Sequence, residues 1–247
     1  MCDSTDSAPG TGWRGWSTSE TSRTVPDAAG AWIDLSWPLS PGVPRLGSFP
    51  PPRIERIASI PDQPLNVTEF SMVAHVGTHV DSPRHFFSDG PALEDVPLAR
   101  LMGTGVAWSM DAPLESLIEP EDFVRMRPQP EAGDILLIDT GIAQYVGTPD
   151  YDRHAGLSVA AAQWLLDKKI KLLAVDTPTP EICLQNRSHG FDWPVHRTLL
   201  REGILIAEQV ANGREFAGCR AEFLFLPLNI VGGDGAPARV LGRPIHN

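Results

Sequence analysis

Frequent prolines and glycines limit this chain to short structural elements. Its 247 residues include 24 prolines and 22 glycines, which end helices and strands and form turns. Between them lie short runs rich in Val, Ile and Leu, which are typical of strands. Long uninterrupted helices are therefore not expected. The predicted strands cover residues 32–36, 54–60, 67–76, 105–110, 134–139, 170–175, 204–208 and 223–228.

A few segments have the features of helices. The clearest covers residues 158–169, where Ser158 is a suitable N-cap and two lysines lie at the C-terminal end of the helix dipole. Residues 120–126 and 194–201 are shorter candidates. Strands with a few interspersed helices predict an α/β fold with a mixed, curved, barrel-like sheet and flanking helices. The sequence contains no GxGxxG or P-loop motif, which disfavours nucleotide binding.

Charge and cysteine content restrict the location and the partners of the protein. The chain has 31 acidic and 20 basic residues and a net charge of −11 with neutral histidines. This excess argues against binding to nucleic acid or to an anionic membrane. No apolar run approaches the length of a membrane span, so none is expected. Three widely separated cysteines favour neither a disulfide framework nor a thiolate metal site, and they fit a reducing cytoplasm.

Residues 1–30 differ in composition from the rest of the chain. They are rich in Ser, Thr, Gly and Pro, and they lack both an apolar periodicity and the features of a secretory signal. We predict a disordered or loosely docked tail, with packing of Trp13 and Trp16 on a partner subunit as the alternative. Residues 31–247 are predicted to form a single domain.

A histidine-rich segment, HVGTHVDSPRHF, carries the residues best suited to chemistry: His75, His79, Asp81 and His85. A fully extended chain would separate His75 and His79 by about 13 Å, at roughly 3.3 Å per residue. That distance is too long for one ion with nitrogen bonds near ~2.1 Å. The chain must therefore bend, and Gly77 permits a turn or bulge. Two imidazoles and a carboxylate predict a divalent-cation site, with Zn²⁺ preferred and Mn²⁺ also compatible.

The same segment matches the signature HxGTHxDxPxH, and through it the chain resembles the cyclase family, which includes bacterial kynurenine formamidase (arylformamidase) and isatin hydrolase. The resemblance extends from about residue 32 to residue 244. It implies a metal-dependent hydrolase with a swivelling β/β/α fold. Later segments that also fit the family are LIDTG at 137–141, VDTP at 175–178, PVHRTLL at 194–200, LPL at 226–228 and GDGAP at 233–237.

The resemblance to the formamidase branch implies a site for two metal ions. His75 and His79 would hold one ion, Asp81 would bridge both ions, and His196 would bind the second. Glu208, which follows His196 by twelve residues at a predicted strand end, would form the other bridge. The isatin hydrolase branch generally lacks this acid and uses one metal. Both one and two ions per chain therefore remain open at this stage.

The implied reaction is hydrolysis of the C–N bond of an aryl formamide or cyclic amide by a metal-activated water, with His85 passing a proton to the departing amine. One alternative is a single-metal enzyme that opens isatin-like rings or lactones, and another is a non-catalytic metal- or ligand-binding protein. The tryptophan that stacks on the substrate in formamidases is absent, and Leu46 or Phe49 lies near its position. Phe191 and Trp193 are further candidates for contact with a ring-bearing small-molecule substrate.

The remaining reactive residues are interpreted as having no catalytic or metal-binding role. Cys183 lacks a recognisable partner and is interpreted as a small buried apolar group. His154 and His246 are interpreted as surface residues, and no GxSxG motif supports a serine hydrolase. The resemblance implies a homodimer or higher homo-oligomer, for which the proline-rich stretch 38–52 and the two tail tryptophans are candidate interface segments.

Overall fold

The computed structural model describes residues 31–245; the predicted tail, with its two tryptophans, and His246 lie outside this range. None of the helices described combines the length and hydrophobicity that crossing a bilayer requires. The helices are α1 (Leu98–Leu101), α2 (Pro120–Arg125), α3 (Val159–Lys168) and α4 (Pro194–Arg201). The strands are β1 (Ile33–Asp34), β2 (Arg53–Ala58), β3 (Val67–Ser71), β4 (His79–Asp81), β5 (Met102–Ser109), β6 (Leu117–Ile118), β7 (Ile135–Asp139), β8 (Gly156–Leu157), β9 (Leu172–Val175), β10 (Leu205–Glu208), β11 (Arg220–Pro227) and β12 (Gly235–Pro244).

Seven of these strands close into a barrel. Their order is β12-β11-β5-β7-β9-β10-β4, and β4 pairs with β12 to complete the ring. The successive pairs from β5 through β7 and β9 to β10 are parallel, whereas the other barrel pairings are antiparallel. Strand β1 adds to β12, and the pairs β2–β3 and β6–β8 form separate small sheets. The predicted mixed, barrel-like sheet with flanking helices is confirmed.

Alternating side chains of the barrel strands build two separate cores. On β7, Ile135 and Leu137 belong to the cluster inside the barrel, whereas Leu136 and Ile138 belong to the cluster shared with α2, α3 and α4. Both faces of the strand are therefore buried, which explains why its sequence is a continuous apolar run without polar alternation.

The helices begin where the sequence supplies their caps. Ser158 accepts a hydrogen bond from the backbone N–H of Ala161 (3.0 Å) and so caps α3, as predicted. Helix α4 begins with Pro194, which has no N–H to leave unsatisfied. Its residues Val195 and Leu199 pack into the core cluster outside the barrel, which α4 shares with α2 and α3, and the helix contacts β10. One face of α4 is thereby held against the barrel wall.

The strands differ from the sequence prediction in several places. The short strands β4, β6 and β8 were not predicted. Strand β3 ends at Ser71, so the predicted continuation through residue 76 is wrong; residues 74–78 form turns and bends. Strand β12 was not expected, because it contains Pro237 and Pro244 as well as glycines. It exists because its backbone pairs with β11, β4 and β1, and these distant partners leave no local signal in the sequence.

Candidate metal centre

The candidate site lies on the outer face of the barrel wall, beneath α4. Strand β4 directs Val80 into the barrel core, so its two neighbours, His79 and Asp81, point outward. Strand β10 likewise directs Ala207 inward and Glu208 outward. In the antiparallel register His79 lies directly opposite Glu208. The strand period therefore places three potential ligands on one surface.

A turn at Gly77 brings His75 back to this surface. Gly77 has a φ of +70°, and a Cβ at this position would lie 2.9 Å from a side-chain carbon of Val43, so the turn requires glycine. The carbonyl of Gly77 is 2.7 Å from His79 Nδ1, and His75 Nδ1 lies 2.7 Å from Asp81 Oδ1. The bend that the spacing of the two histidines demands is present.

Five buried side chains form two groups with the geometry of metal ligands. His75, His79 and Asp81 make one group, and Asp81, His196 and Glu208 make the other; within each group the ligand atoms lie within 4.8 Å of one another. Glu208 is 3.3 Å from His79 Nε2 through one oxygen and 3.1 Å from His196 Nε2 through the other. Asp81 is common to both groups. The five residues that the family resemblance assigned as ligands are therefore brought together.

The donor atoms and their electrostatics fit a divalent cation. His79 Nε2 and Asp81 Oδ2 are buried without a hydrogen-bond partner among the described residues, and such atoms are costly unless a ligand satisfies them. Burial alone would lower the pKa of His79, but the carboxylates of Asp81 and Glu208, 3.4 and 3.3 Å from its Nε2, raise it to about 10. A site that holds a proton this strongly has the negative potential that binds a cation. The all-nitrogen and oxygen donor set suits Zn²⁺ or Mn²⁺.

Glu181 supports His196, and no sequence pattern indicated it. One oxygen of Glu181 accepts hydrogen bonds from the backbone N–H of His196 (2.8 Å) and lies 2.9 Å from its Nδ1. This contact turns Nε2 towards Asp81 and Glu208. Carboxylates commonly orient ligand histidines in this way. The acid is fifteen residues before the histidine in a buried turn, and no periodicity connects the two positions.

His85 lies at the edge of the ligand cluster, beside an acid that sequence reasoning left without a role. Its ring stacks on that of His75 with centroids 4.0 Å apart. Asp234 Oδ2 lies 3.5 Å from His85 Nδ1 and 3.0 Å from His75 Nε2. Burial lowers the pKa of His85, so its imidazole is neutral at neutral pH. A neutral, partly exposed imidazole beside a carboxylate can accept a proton and pass it to a substrate.

The predicted substrate contacts fall into two groups. The Trp193 ring lies 5.7 Å from that of His196, and the Phe191 ring lies 5.8 Å from that of Trp193. Leu46 and Phe49 are half-buried in the loop 38–52 and share a backbone hydrogen bond. The aromatic pair thus adjoins the ligand cluster, and the contact of all four residues with a substrate stays a prediction.

Two other sequence interpretations have clear outcomes. Cys183 is fully buried, as expected for a small apolar group. The interpretation of His154 as a surface residue is wrong: the side chain is 1% exposed, and its Nδ1 lies 3.0 Å from the carbonyl of Ala155. His154 lies between a 3-10 helix (Pro149–Arg153) and the strand β8, and the polar local sequence gave no sign of its burial.

Known proteins resemble this chain in sequence and in fold. The Cyclase family model matches residues 33–182. A kynurenine formamidase from Bacillus cereus is 31% identical over 220 residues, which cover 87% of this chain and 98% of the relative. An isatin hydrolase A from Labrenzia aggregata has the same fold, with a TM-score of 0.79 at 21% identity over 87% of this chain and 94% of that one. A predicted metal-dependent hydrolase from Bacillus stearothermophilus is 26% identical, with a TM-score of 0.71 over 87% and 99% of the two chains.

Proposed function

The chain belongs to the Cyclase family, and from this premise we propose that it is a metal-dependent hydrolase that cleaves the C–N bond of an aryl formamide or a cyclic amide. The observation that carries the proposal is the buried cluster of three imidazoles and two carboxylates, with a fourth imidazole at its edge. A purely structural metal site would be closed and usually rich in cysteine. Here the ligand set is nitrogen and oxygen, and a proton-exchanging group stands beside it.

We assign each candidate ligand to one or both of two metal ions. His75, His79 and Asp81 would hold one ion, and His196 and Glu208 would hold a second together with Asp81. A bound divalent cation supplies a Lewis acid that polarises an amide carbonyl and makes water more acidic. We propose Zn²⁺ as the resident ion, with Mn²⁺ as the alternative, because both accept this donor set.

The residues around the ligands would orient the substrate and move its proton. His85, which lies beside Asp234, would take a proton from the attacking water and pass it to the departing nitrogen, because an amine leaves far more readily than its anion. The rings of Phe86 and Trp193 lie 4.8 Å and 5.7 Å from the His196 ring, and they would stack on a planar substrate. An anilide nitrogen suits this arrangement, since the part of the site that lies within residues 31–245 offers one proton-exchanging group and no covalent nucleophile.

Formamide hydrolysis is favoured over ring opening by one feature of the site. Glu208 supplies a second carboxylate between the two ligand groups, as the formamidase branch implies and the isatin hydrolase branch does not. Hydrolysis of an isatin-like cyclic amide remains the second candidate, because the tryptophan of the formamidases is missing from the loop 38–52.

Removal of the metal should abolish the reaction. Protein stripped with a chelator should lose most of its activity on formanilide, N-formylkynurenine and isatin, measured by formate release or ring opening. Zn²⁺ should restore the activity, and parallel reconstitution with Mn²⁺ would identify the better ion. Hydrolysis at the full rate by metal-free protein would contradict the proposal.

We also propose that the chain forms a homodimer in the cytoplasm, where its cysteines stay reduced. The β2–β3 hairpin stands apart from the barrel and carries the apolar residues Ile57, Ile60, Leu65 and Phe70, each more than half exposed; exposed apolar patches of this kind mark interaction sites. Light scattering at micromolar concentration should give the mass of two chains, and Ile57→Asp with Phe70→Asp should reduce it to one. A single-chain mass for the unmodified protein would contradict the dimer.

A further inference from the structure

Arg187 is fixed by two aromatic rings next to the candidate metal centre. Its guanidinium carbon lies 4.2 Å from the centre of the Trp193 ring and 4.9 Å from that of Phe191. Its Nε donates a hydrogen bond to the carbonyl of Ile182 (2.9 Å). Cation–π stacking and this hydrogen bond hold the planar group in one orientation. Arg187 is therefore positioned before any ligand arrives.

The charge of Arg187 has no ion-pair partner within residues 31–245. Its Nη2 is buried and makes no hydrogen bond there. Glu181 and Glu208 are close enough to raise its pKa, but burial has the larger effect and lowers it. Both acids are already engaged by His196. A half-buried cation without a partner is unfavourable, and a bound anion would remove this cost.

Tyr151 supplies a second unsatisfied donor. The hydroxyl of Tyr151 is buried without a hydrogen-bond partner among the described residues. Burial raises the pKa of Tyr151 well above its ordinary value, and the charges of Asp176 and Glu208 raise it further, so the phenol keeps its proton. The charge of Glu208 thus acts on both Arg187 and Tyr151, and each of these residues offers a buried donor that lacks an acceptor among the described residues.

The position of Arg187 determines how far a substrate must extend from the ligand cluster to contact the guanidinium. The indole ring of Trp193 contacts both the guanidinium and the His196 ring. A substrate whose amide lies at the ligand cluster could therefore extend one aromatic ring towards Arg187. A guanidinium forms paired hydrogen bonds with a carboxylate, whose geometry it matches.

We propose that Arg187 is a specificity-determining residue that binds a carboxylate of the substrate, so that the preferred substrates are aromatic formamides or cyclic amides with an anionic substituent. This inference rests on the proposed function. It adds a binding group for the part of the substrate that does not react, in a chain that lacks the stacking tryptophan of the formamidases.

The test compares neutral and anionic substrates in the full-length protein loaded with metal. The substrates are formanilide and its 2-, 3- and 4-carboxylated derivatives, all hydrolysed at the same bond. We expect at least one carboxylated isomer to have a kcat/KM about 10- to 100-fold above that of formanilide. Arg187→Gln should remove this preference by raising KM for the carboxylated substrate by a larger factor than KM for formanilide. Arg187→Lys, which keeps the charge without the planar fork, should retain part of the preference.

Arg197→Gln is the matched control. Arg197 also lies over an aromatic ring, that of Phe86 at 5.6 Å, and its Nε also donates to a carbonyl, that of Asp192. Its side chain is exposed, so its loss should leave the preference intact. Equal activity of the wild type on all four substrates, or equal loss on all four in Arg187→Gln, would overturn the inference. Activity on none of them would instead count against the proposed function, and if Arg187→Gln fails to fold, the wild-type comparison and Arg187→Lys still decide.

Discussion

Replacement of Asp81 by asparagine should remove both metal ions and reduce activity by roughly 10³-fold or more. Asp81 belongs to both ligand groups and is fully buried between them. Asparagine has nearly the same shape but no negative charge, so the variant keeps the packing and loses the charge that offsets the repulsion between two cations. Metal content per chain, measured by mass spectrometry, and kcat/KM for formanilide would report the two effects together.

Glu208→Gln is the matched comparison, because Glu208 belongs to only one of the two groups. This variant should retain one ion, held by His75, His79 and Asp81, and it should be impaired less than Asp81→Asn. Two ions in the Asp81→Asn protein would contradict the bridging role. One ion in the fully loaded wild type would contradict the two-metal site and favour the single-metal alternative.

The parts of the fold that depend on local sequence could be predicted. Strand β7 carries an apolar run because both of its faces are buried, and α3 begins at the cap that its sequence supplies. The turn at Gly77 followed from distance alone, because an extended chain cannot bring His75 and His79 to one ion. In each case the residues that determine the local structure lie within that structure or directly beside it in the sequence.

The parts that depend on distant partners could not be predicted from local patterns. Strand β12 pairs with β1 and β4, which lie far away along the chain, as well as with β11. Glu181 contacts His196 at the start of α4, fifteen residues further along. His154 is buried although the residues around it in the sequence are mostly polar. For His196 and Glu208 only the family resemblance supplied the assignment, since a lone histidine and a lone acid carry no signal of proximity.

His85→Ala should separate proton transfer from metal binding. The variant should keep its metal ions and lose activity by roughly 10²–10⁴-fold, because a positioned acid would no longer protonate the departing amine. Metal content, kcat on formanilide and rescue by added imidazole would measure this effect. His189→Ala, which alters an exposed histidine in a nearby loop, is the control and should keep both properties.

The metal content of His85→Ala decides between two roles that the geometry allows. His85, His75 and Asp234 themselves form a third group whose nitrogen and oxygen atoms lie within 4.8 Å of one another. That group is more exposed than the other two, since Asp234 is half-exposed and His85 partly so, and exposed ligands hold an ion less strongly than buried ones. His85 is therefore better placed to exchange protons with a substrate than to bind the ion. Loss of metal together with activity would reverse this assignment and make His85 a ligand.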